Sequence, residues 1–312
     1  MAAVDLGRTV RRTLTEQALP DLPLPARGDT PARHRALFEL GRRDLSLARI
    51  GEAHTDAVAI LAEAGRAPRP SSCYGVWASD GATSRLTASP LPSGGWRLDG
   101  LKRYCSGAGL VHTALVTARA ATDADRVLLF EVPMDHPRVR ELASDWATPA
   151  LAEAATGTVE FDAVELEGDS LIGHPDWYLS RPGFWHGAVG PAACWAGGAQ
   201  YLVDAAAALG RRDPHSRAQV GALKALSWGL SAVLEQAGRE IDADPLDRTG
   251  DARPRALKVR HLIERWCTEV LDRFGRATGP RLLCFDAQVA RQHMALGVYI
   301  RQCHAERDLD EL

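Results

Sequence analysis

The segment Trp96-Arg-Leu-Asp-Gly-Leu-Lys-Arg-Tyr-Cys-Ser-Gly-Ala108 is the stretch from which the fold of this 312-residue chain is best inferred. Its first residues, Trp96 to Leu98, favour a strand, and Asp99-Gly100 is typical of a turn. An aromatic residue, Tyr104, and a hydroxyl residue, Ser106, then stand two positions apart. Because residues two apart on a strand share a face, we expect these side chains to point the same way.

Short runs of strand-forming residues surround this segment, and residues typical of turns separate them. No helical pattern lies between the runs, so the sequence predicts an antiparallel sheet or barrel and not a parallel α/β sheet. The other runs are Cys73–Ala78, Arg85–Ser89, His112–Arg119, Val127–Pro133 and Thr158–Leu166.

Helical periodicity appears on both sides of this β-rich region. Apolar residues recur at helical spacing from Arg33 to Arg66, where closely spaced prolines end the pattern. After the β-rich region, four long periodic segments with short connections predict an antiparallel bundle. These segments are 184–209, 214–241, 255–276 and 286–303. The first 30 residues, rich in proline and arginine, are expected to form a loose arm.

Composition excludes several classes of protein. Hydrophobic residues make up 46% and charged residues 25%, which is ordinary for a globular protein, and the net charge of -3 argues against a nucleic-acid partner. Six cysteines without a C-x-x-C pair predict neither a disulfide framework nor a metal site. Without a signal peptide after Met1, we expect a cytoplasmic protein. The uncharged run 183–203 is rich in small residues, which predicts a tightly packed core helix and no membrane span.

The order of a helical part, a β part and a helical bundle resembles the acyl-CoA dehydrogenase fold. The resemblance is carried by the 96–108 segment, by Thr156-Gly-Thr-Val-Glu-Phe-Asp-Ala-Val-Glu-Leu166, and by Gly190-Pro191 with Tyr299-Ile-Arg-Gln302. It implies an α+β fold with three parts. These are a short N-terminal helical region (1–70), a central antiparallel β-barrel domain (71–178) and a C-terminal four-helix bundle (179–312).

The resemblance also implies a flavin cofactor, FAD, and residues that would hold it. Tyr104 would stack on the flavin and Ser106 would hydrogen-bond to it. Trp77, Ala78 and Ser79 would line the flavin ring, the alternative being an edge strand with a core tryptophan. Arg211 or Arg212 would bind phosphate or adenine, and we select Arg212, although adjacent arginines are often only solvated. The selected cofactor residues are Trp77, Ala78, Ser79, Tyr104, Ser106 and Arg212.

No catalytic residue can be assigned from the sequence. In the resembled family, a glutamate abstracts the α-proton of the acyl thioester. This glutamate has two possible locations in the family. Here Cys284 stands at the first and Gly183 or Phe184 at the second, and none of these is a suitable base. Asp286 is displaced by two residues, and His186 is a weaker candidate.

Three functions therefore stay open. The first is an FAD-dependent oxidoreductase that oxidises an acyl thioester or a related small substrate by hydride transfer to flavin. The second is a flavin monooxygenase of the same superfamily, which would not need that glutamate. The segment Tyr104-Cys-Ser-Gly107 resembles the monooxygenase branch of this superfamily. The third is a non-catalytic relative that acts by oligomerisation or partner binding. The family assembles through its bundle, so a homodimer or homotetramer is implied, without a nucleic-acid or membrane partner.

Overall fold

The computed structural model describes residues 22–79, 85–304, 306–310 and 312. Most of the predicted loose arm therefore lies outside the described residues, as do the five residues that follow Ser79. The described residues divide into two units. The β unit comprises 53–147 and 152–184, and the bundle unit comprises the residues up to Glu52, 148–151 and the residues from Trp185 onward. The three regions bounded at 70 and 178 stay a prediction about the chain.

The β unit is built on one sheet of eight strands in the order β6-β7-β3-β2-β4-β5-β8, with β1 paired to β4. The strands are β1 (Tyr74–Trp77), β2 (Leu86–Pro90), β3 (Trp96–Cys105), β4 (Thr113–Ala120), β5 (Asp123–Pro133), β6 (Val139–Glu141), β7 (Gly157–Leu166) and β8 (Leu171–Ile172). The sheet is mostly antiparallel, as predicted. The β1–β4 and β2–β4 pairs are parallel. Neither pair is joined by a hairpin, so nothing forces these strands to run in opposite directions.

Strand β3 is longer than predicted, and the prediction of a turn at Asp99-Gly100 was wrong. These residues lie inside β3, where the register against β7 shifts between Leu98 and Gly100. Gly100 has a φ of +124°, and a Cβ at this position would collide with the carbonyl oxygen of Arg85. The pair therefore forms a β-bulge, which uses the same residue types as a turn.

The helices lie where the periodicity predicted them, but two of the predicted segments are divided. Asp44 has an extended backbone with a φ of −167° and ends the first helix. Its carboxylate accepts a hydrogen bond from the N–H of Leu47 (2.9 Å), which starts the next helix. Pro191 occupies the first turn of another helix, where proline begins helices, and separates it from the short helix before it. The helices are α1 (Thr30–Arg43), α2 (Leu45–Glu63), α3 (Trp177–Ser180), α4 (Pro182–Gly187), α5 (Gly190–Ala208), α6 (Pro214–Ala243), α7 (Ala252–Thr278), α8 (Pro280–Phe285), α9 (Ala287–Tyr299) and α10 (Glu306–Leu309).

In the bundle unit, α1 packs closely across α5 through glycine. A Cβ on Gly197 would collide with the carbonyl oxygen of Phe38, and a Cβ on Gly41 would collide with that of Cys194. The small residues of the uncharged run therefore allow two helix backbones to touch, as predicted for a core helix. Among the described helices, none is both long and apolar enough to cross a membrane.

Candidate functional site

The ends of β1 and β3 meet at a junction held by Trp77 and Ser106. The indole Nε1 of Trp77 donates a hydrogen bond to the carbonyl oxygen of Ser106 (3.0 Å). Trp77 is buried, Ala78 packs against the apolar core of the β unit, and Ser79 is exposed. Of the six predicted residues, Trp77 and Ser106 are thus in contact, with Ala78 and Ser79 next to the first and Tyr104 close to the second in sequence. Tyr104 and Ser106 do not share a strand face as predicted, because β3 ends at Cys105.

Tyr104 is the most unusual residue of this junction. Its register against β7 is irregular, its φ is +59°, and its side chain is 55% exposed. The guanidinium of Arg103 lies 5.8 Å from the centre of its ring. A side chain in the left-handed region costs about 1–3 kcal/mol. The bulge thus presents an aromatic ring to the surroundings at an energetic cost.

Ser106 is buried beside a hydroxyl residue that sequence reasoning missed. Its Oγ lies 3.0 Å from the Oγ1 of Thr156, and one of the two hydroxyls must donate to the other. The accepting hydroxyl keeps its own hydrogen available for a ligand. The N–H of Gly107 donates to the carbonyl oxygen of Ala154 (2.7 Å), which fixes the loop after Ser106. Thr156 is fifty residues away in sequence, and no local pattern marks it as a partner.

Lys102 connects the C-terminal part of β3 to β4. Its buried ammonium donates to the carbonyl oxygen (2.9 Å) and the hydroxyl (2.8 Å) of Thr117 on β4. Between Lys102 and Ser106, burial raises the pKa of the Cys105 thiol to about 12. Cys105 is therefore protonated at neutral pH and does not act as a nucleophile. These residues hold the junction in shape.

An open cleft of about 590 Å³ borders the junction within the β unit. Its lining includes Trp77, Val111, His112, Val139 and Glu141. The Nδ1 of His112 accepts a hydrogen bond from the N–H of Cys73 (3.0 Å), so a neutral His112 carries its proton on Nε2. The volume lies within the range of small-molecule sites.

The sixth predicted residue, Arg212, belongs to the bundle unit. It is exposed in the connection between α5 and α6. Its neighbour Arg211 donates to the carbonyl oxygens of Ala277 (3.2 Å) and Thr278 (2.8 Å). Arg211 therefore binds the C-terminal carbonyls of α7, where cations are favoured. Arg212 stays a predicted ligand of the cofactor.

The space where a side chain on Gly183 would lie is filled by a carboxylate from α2. A Cβ on Gly183 would collide with Oε2 of Glu63. This oxygen pairs with the guanidinium of Arg181 at 2.6 Å, and Oε1 accepts the N–H of Gly183 (3.2 Å). Glu63 is thus held by an ion pair with the buried Arg181 and by the backbone of Gly183.

The other positions considered for a base hold residues with structural roles. Cys284 is an exposed thiol in α8, whereas the other five cysteines of the chain are buried. The carboxylate of Asp286 accepts the N–H groups of Gln288 (3.1 Å) and Val289 (3.0 Å) and caps α9. His186 is buried in the bundle unit with Nε2 3.3 Å from the carbonyl oxygen of Pro245. None of these places a free carboxylate where the dehydrogenase interpretation needs one.

No family model matches the chain. Dibenzothiophene monooxygenases from Rhodococcus qingshengii and Rhodococcus erythropolis are 26% identical to it over 98 residues. The matched segment covers 30% of this chain and 23% of those enzymes, so it spans about a quarter of their length.

Solved structures match over nearly the whole chain. The dibenzothiophene monooxygenase of a Paenibacillus species, in complex with FMN and indole, has a TM-score of 0.79 and 20% identity over 99% of this chain and 94% of that one. A nitrososynthase from Micromonospora carbonacea var. africana has a TM-score of 0.79 and 19% identity, over 99% of this chain and 94% of that one. Methanesulfinate monooxygenase from Pseudomonas fluorescens has a TM-score of 0.78 and 17% identity, over 100% of this chain and 96% of that one.

These likenesses establish the fold. The chain has the α+β, acyl-CoA dehydrogenase-like fold predicted from its sequence. The matched proteins are flavin monooxygenases and related enzymes, so they agree better with the monooxygenase alternative than with the acyl-CoA dehydrogenase interpretation that came first.

Proposed function

We propose that this protein is a flavin-dependent monooxygenase that uses FMN. The observation that carries the proposal is the exposed, left-handed Tyr104 beside the buried hydroxyl pair of Ser106 and Thr156. The likeness to monooxygenases solved with FMN supports it, and FMN replaces the FAD expected from the sequence. The proposed flavin contacts are Tyr104, Ser106, Ala78 and Ser79, with Trp77 as a positioning residue and Arg212 as a candidate phosphate ligand.

The residues of the junction fit a flavin ring chemically. A flavin ring has a flat aromatic face and an edge of hydrogen-bond acceptors. The phenol ring of Tyr104 matches the face, and the available hydroxyl hydrogen of the Ser106–Thr156 pair matches the edge. When bound and reduced, the flavin supplies the two electrons for the activation of O2. One oxygen atom then enters the substrate and the other leaves as water.

The missing base also favours oxygenation over desaturation. Desaturation of a thioester requires a carboxylate that removes an α-proton, and the sequence positions expected for it offer Cys284, Gly183 and Phe184. The carboxylate that fills the space at Gly183 is Glu63, which is paired with Arg181. Insertion of an oxygen atom into a small substrate requires no such carboxylate.

Titration with flavin tests the cofactor. We expect the purified protein to quench FMN fluorescence saturably, and to bind FMN more tightly than FAD. Tyr104→Leu is expected to weaken FMN binding on the order of tenfold, since it removes one aromatic stacking contact. Trp228→Leu, which removes an exposed aromatic ring from α6, is the matched control and is expected to bind normally. If the wild type binds neither flavin, or if Tyr104→Leu binds FMN normally, the proposal is wrong.

A second experiment separates the two flavin chemistries. Reduced FMN and ¹⁸O2 are supplied with indole or dibenzothiophene as probe substrates, because related enzymes are named for or crystallised with them. We expect ¹⁸O in the product, detected by mass spectrometry. Reduction of a dye by an acyl-CoA under anaerobic conditions would instead identify a dehydrogenase.

A further inference from the structure

The cleft beside the junction of β1 and β3 holds a carboxylate against its wall. Glu141 of β6 lines this cleft of about 590 Å³. A Cβ on Gly109 would collide with Oε2 of Glu141, and a Cβ on Gly157 would lie 4.0 Å from Oε1. Two residues without side chains thus leave room for the carboxylate to lie against the backbone. Glu141 is exposed, so water solvates its carboxylate.

This carboxylate makes no ion pair or hydrogen bond with the residues that the structure describes. The same is true of Asp135, which follows β5 and lines the same cleft. Both carboxylates therefore make their hydrogen bonds to water. A ligand that displaces this water must supply hydrogen-bond donors in return, and a positively charged donor replaces it best.

Acidic side chains outnumber basic ones at this cleft. Arg69 lines it, and its Nε lies 3.4 Å from Oε1 of Glu131. Arg66 pairs with the other oxygen of Glu131 at 2.8 Å. With the two unpaired carboxylates, these three residues leave a net charge of −1, from two guanidinium groups and three carboxylates. His112 adds no charge while it is neutral. The electrostatic field of the cleft therefore favours a cation.

Apolar side chains line the same cleft. Val139 stands two residues before Glu141 on β6, so the two side chains share one face of the strand. Val111 and Val159 are buried and also contribute to the lining. A hard metal ion takes several oxygen ligands, which valine side chains do not offer. An organic cation can use the carboxylates and the apolar surface together.

We propose that this cleft binds a small organic cation, of which a primary amine on an apolar body is the simplest case. The ammonium group would donate hydrogen bonds to the Glu141 carboxylate, and Asp135 would add negative charge. The apolar body would lie on the valine side chains. The site shares only Trp77 with the residues proposed around the flavin. Its test uses no flavin, so its outcome does not depend on the proposed function.

Titration calorimetry with benzylamine tests the site, because this probe is a primary amine that is protonated at neutral pH. We expect saturable binding that weakens as salt is added, since salt screens exposed charges. Benzyl alcohol, its neutral analogue, is expected to bind on the order of tenfold more weakly. Glu141→Gln keeps the shape of the side chain and removes its charge. This variant is expected to weaken benzylamine binding on the order of tenfold and to leave the binding of benzyl alcohol unchanged.

Glu165→Gln is the matched control. Glu165 is an exposed residue of β7 that does not line the cleft, and its replacement changes the net charge of the protein by the same amount. This variant is expected to bind benzylamine as the wild type does. The proposal is wrong if benzylamine binds no more tightly than benzyl alcohol. It is also wrong if Glu141→Gln binds benzylamine normally, or if Glu165→Gln weakens this binding as much as Glu141→Gln does.

Discussion

The backbone of Gly197 in α5 lies directly against the carbonyl oxygen of Phe38 in α1. A methyl group on Gly197 would force the two helices apart. We expect Gly197→Ala to lower the free energy of unfolding by about 2–3 kcal/mol, as overpacked cores do. Gly221→Ala is the control, because a Cβ at Gly221 in α6 meets nothing within 4 Å and alanine favours a helix. Urea unfolding of both variants checks this, and equal stability would contradict the close crossing.

Tyr104 allows the backbone strain at the junction of β1 and β3 to be measured. Glycine adopts its φ of +59° without cost, whereas alanine keeps the clash of a Cβ in the left-handed region. We expect Tyr104→Gly to be more stable than Tyr104→Ala by about 1 kcal/mol. Both variants are expected to bind FMN poorly, since both lack the ring. If alanine is the more stable replacement in chemical unfolding, Tyr104 carries no such strain.

The hydrogen bond between Trp77 and Ser106 is expected to support both stability and binding. Trp77→Phe leaves the carbonyl oxygen of Ser106 without the indole N–H. The free energy of unfolding is expected to fall by about 1–2 kcal/mol, and FMN binding to weaken, because the ends of the two strands are no longer held together. Trp228→Phe on the exposed face of α6 is the control for loss of an indole. Unfolding curves and FMN titrations measure the two effects, and an unchanged affinity would show that this bond does not position the flavin contacts.

His34 is expected to make the bundle unit sensitive to acid. It is buried, its Nδ1 lies 2.9 Å from the carbonyl oxygen of Leu234, and burial lowers its pKa from 6.5 to about 4. Between these two pH values the unfolded chain binds a proton that the folded protein does not. The free energy of unfolding is therefore steady above pH 6.5 and falls as the pH decreases, by about 2 kcal/mol between pH 7 and pH 5.

His34→Gln isolates this contribution. Glutamine does not titrate and can still donate to the carbonyl oxygen of Leu234. Its unfolding free energy is expected to vary less between pH 7 and pH 5 than that of the wild type. A smaller slope should remain, because burial also lowers the pKa of His54 and His293. An identical slope in the variant would assign the acid sensitivity elsewhere.

The arrangement of helices and strands could be predicted because periodicity is a local property. Spacing also predicted Tyr104 and Ser106 on one face of a strand, and this was wrong: β3 ends at Cys105, Tyr104 is exposed and Ser106 is buried. The left-handed backbone of Tyr104 breaks the alternation on which the prediction depended. Residue types were less informative where a turn and a β-bulge use the same ones. Asp99-Gly100 is typical of a turn, yet its backbone forms a bulge inside β3, since pairing with β7 continues on both sides.

Partners that are distant in sequence could not be predicted. Nothing near Ser106 points to Thr156, and nothing near Gly183 points to the carboxylate of Glu63. Both contacts depend on how strands and helices pack, and one sequence does not show this.

The distribution of cysteines has a practical consequence. Cys284 is exposed, and the other five thiols are buried. A maleimide dye or a nitroxide label is therefore expected to attach at α8 alone, without any engineered cysteine. Wild-type protein labelled there becomes a single-site spectroscopic probe, and movement of the segment that leads into α9 can be followed while flavin is added.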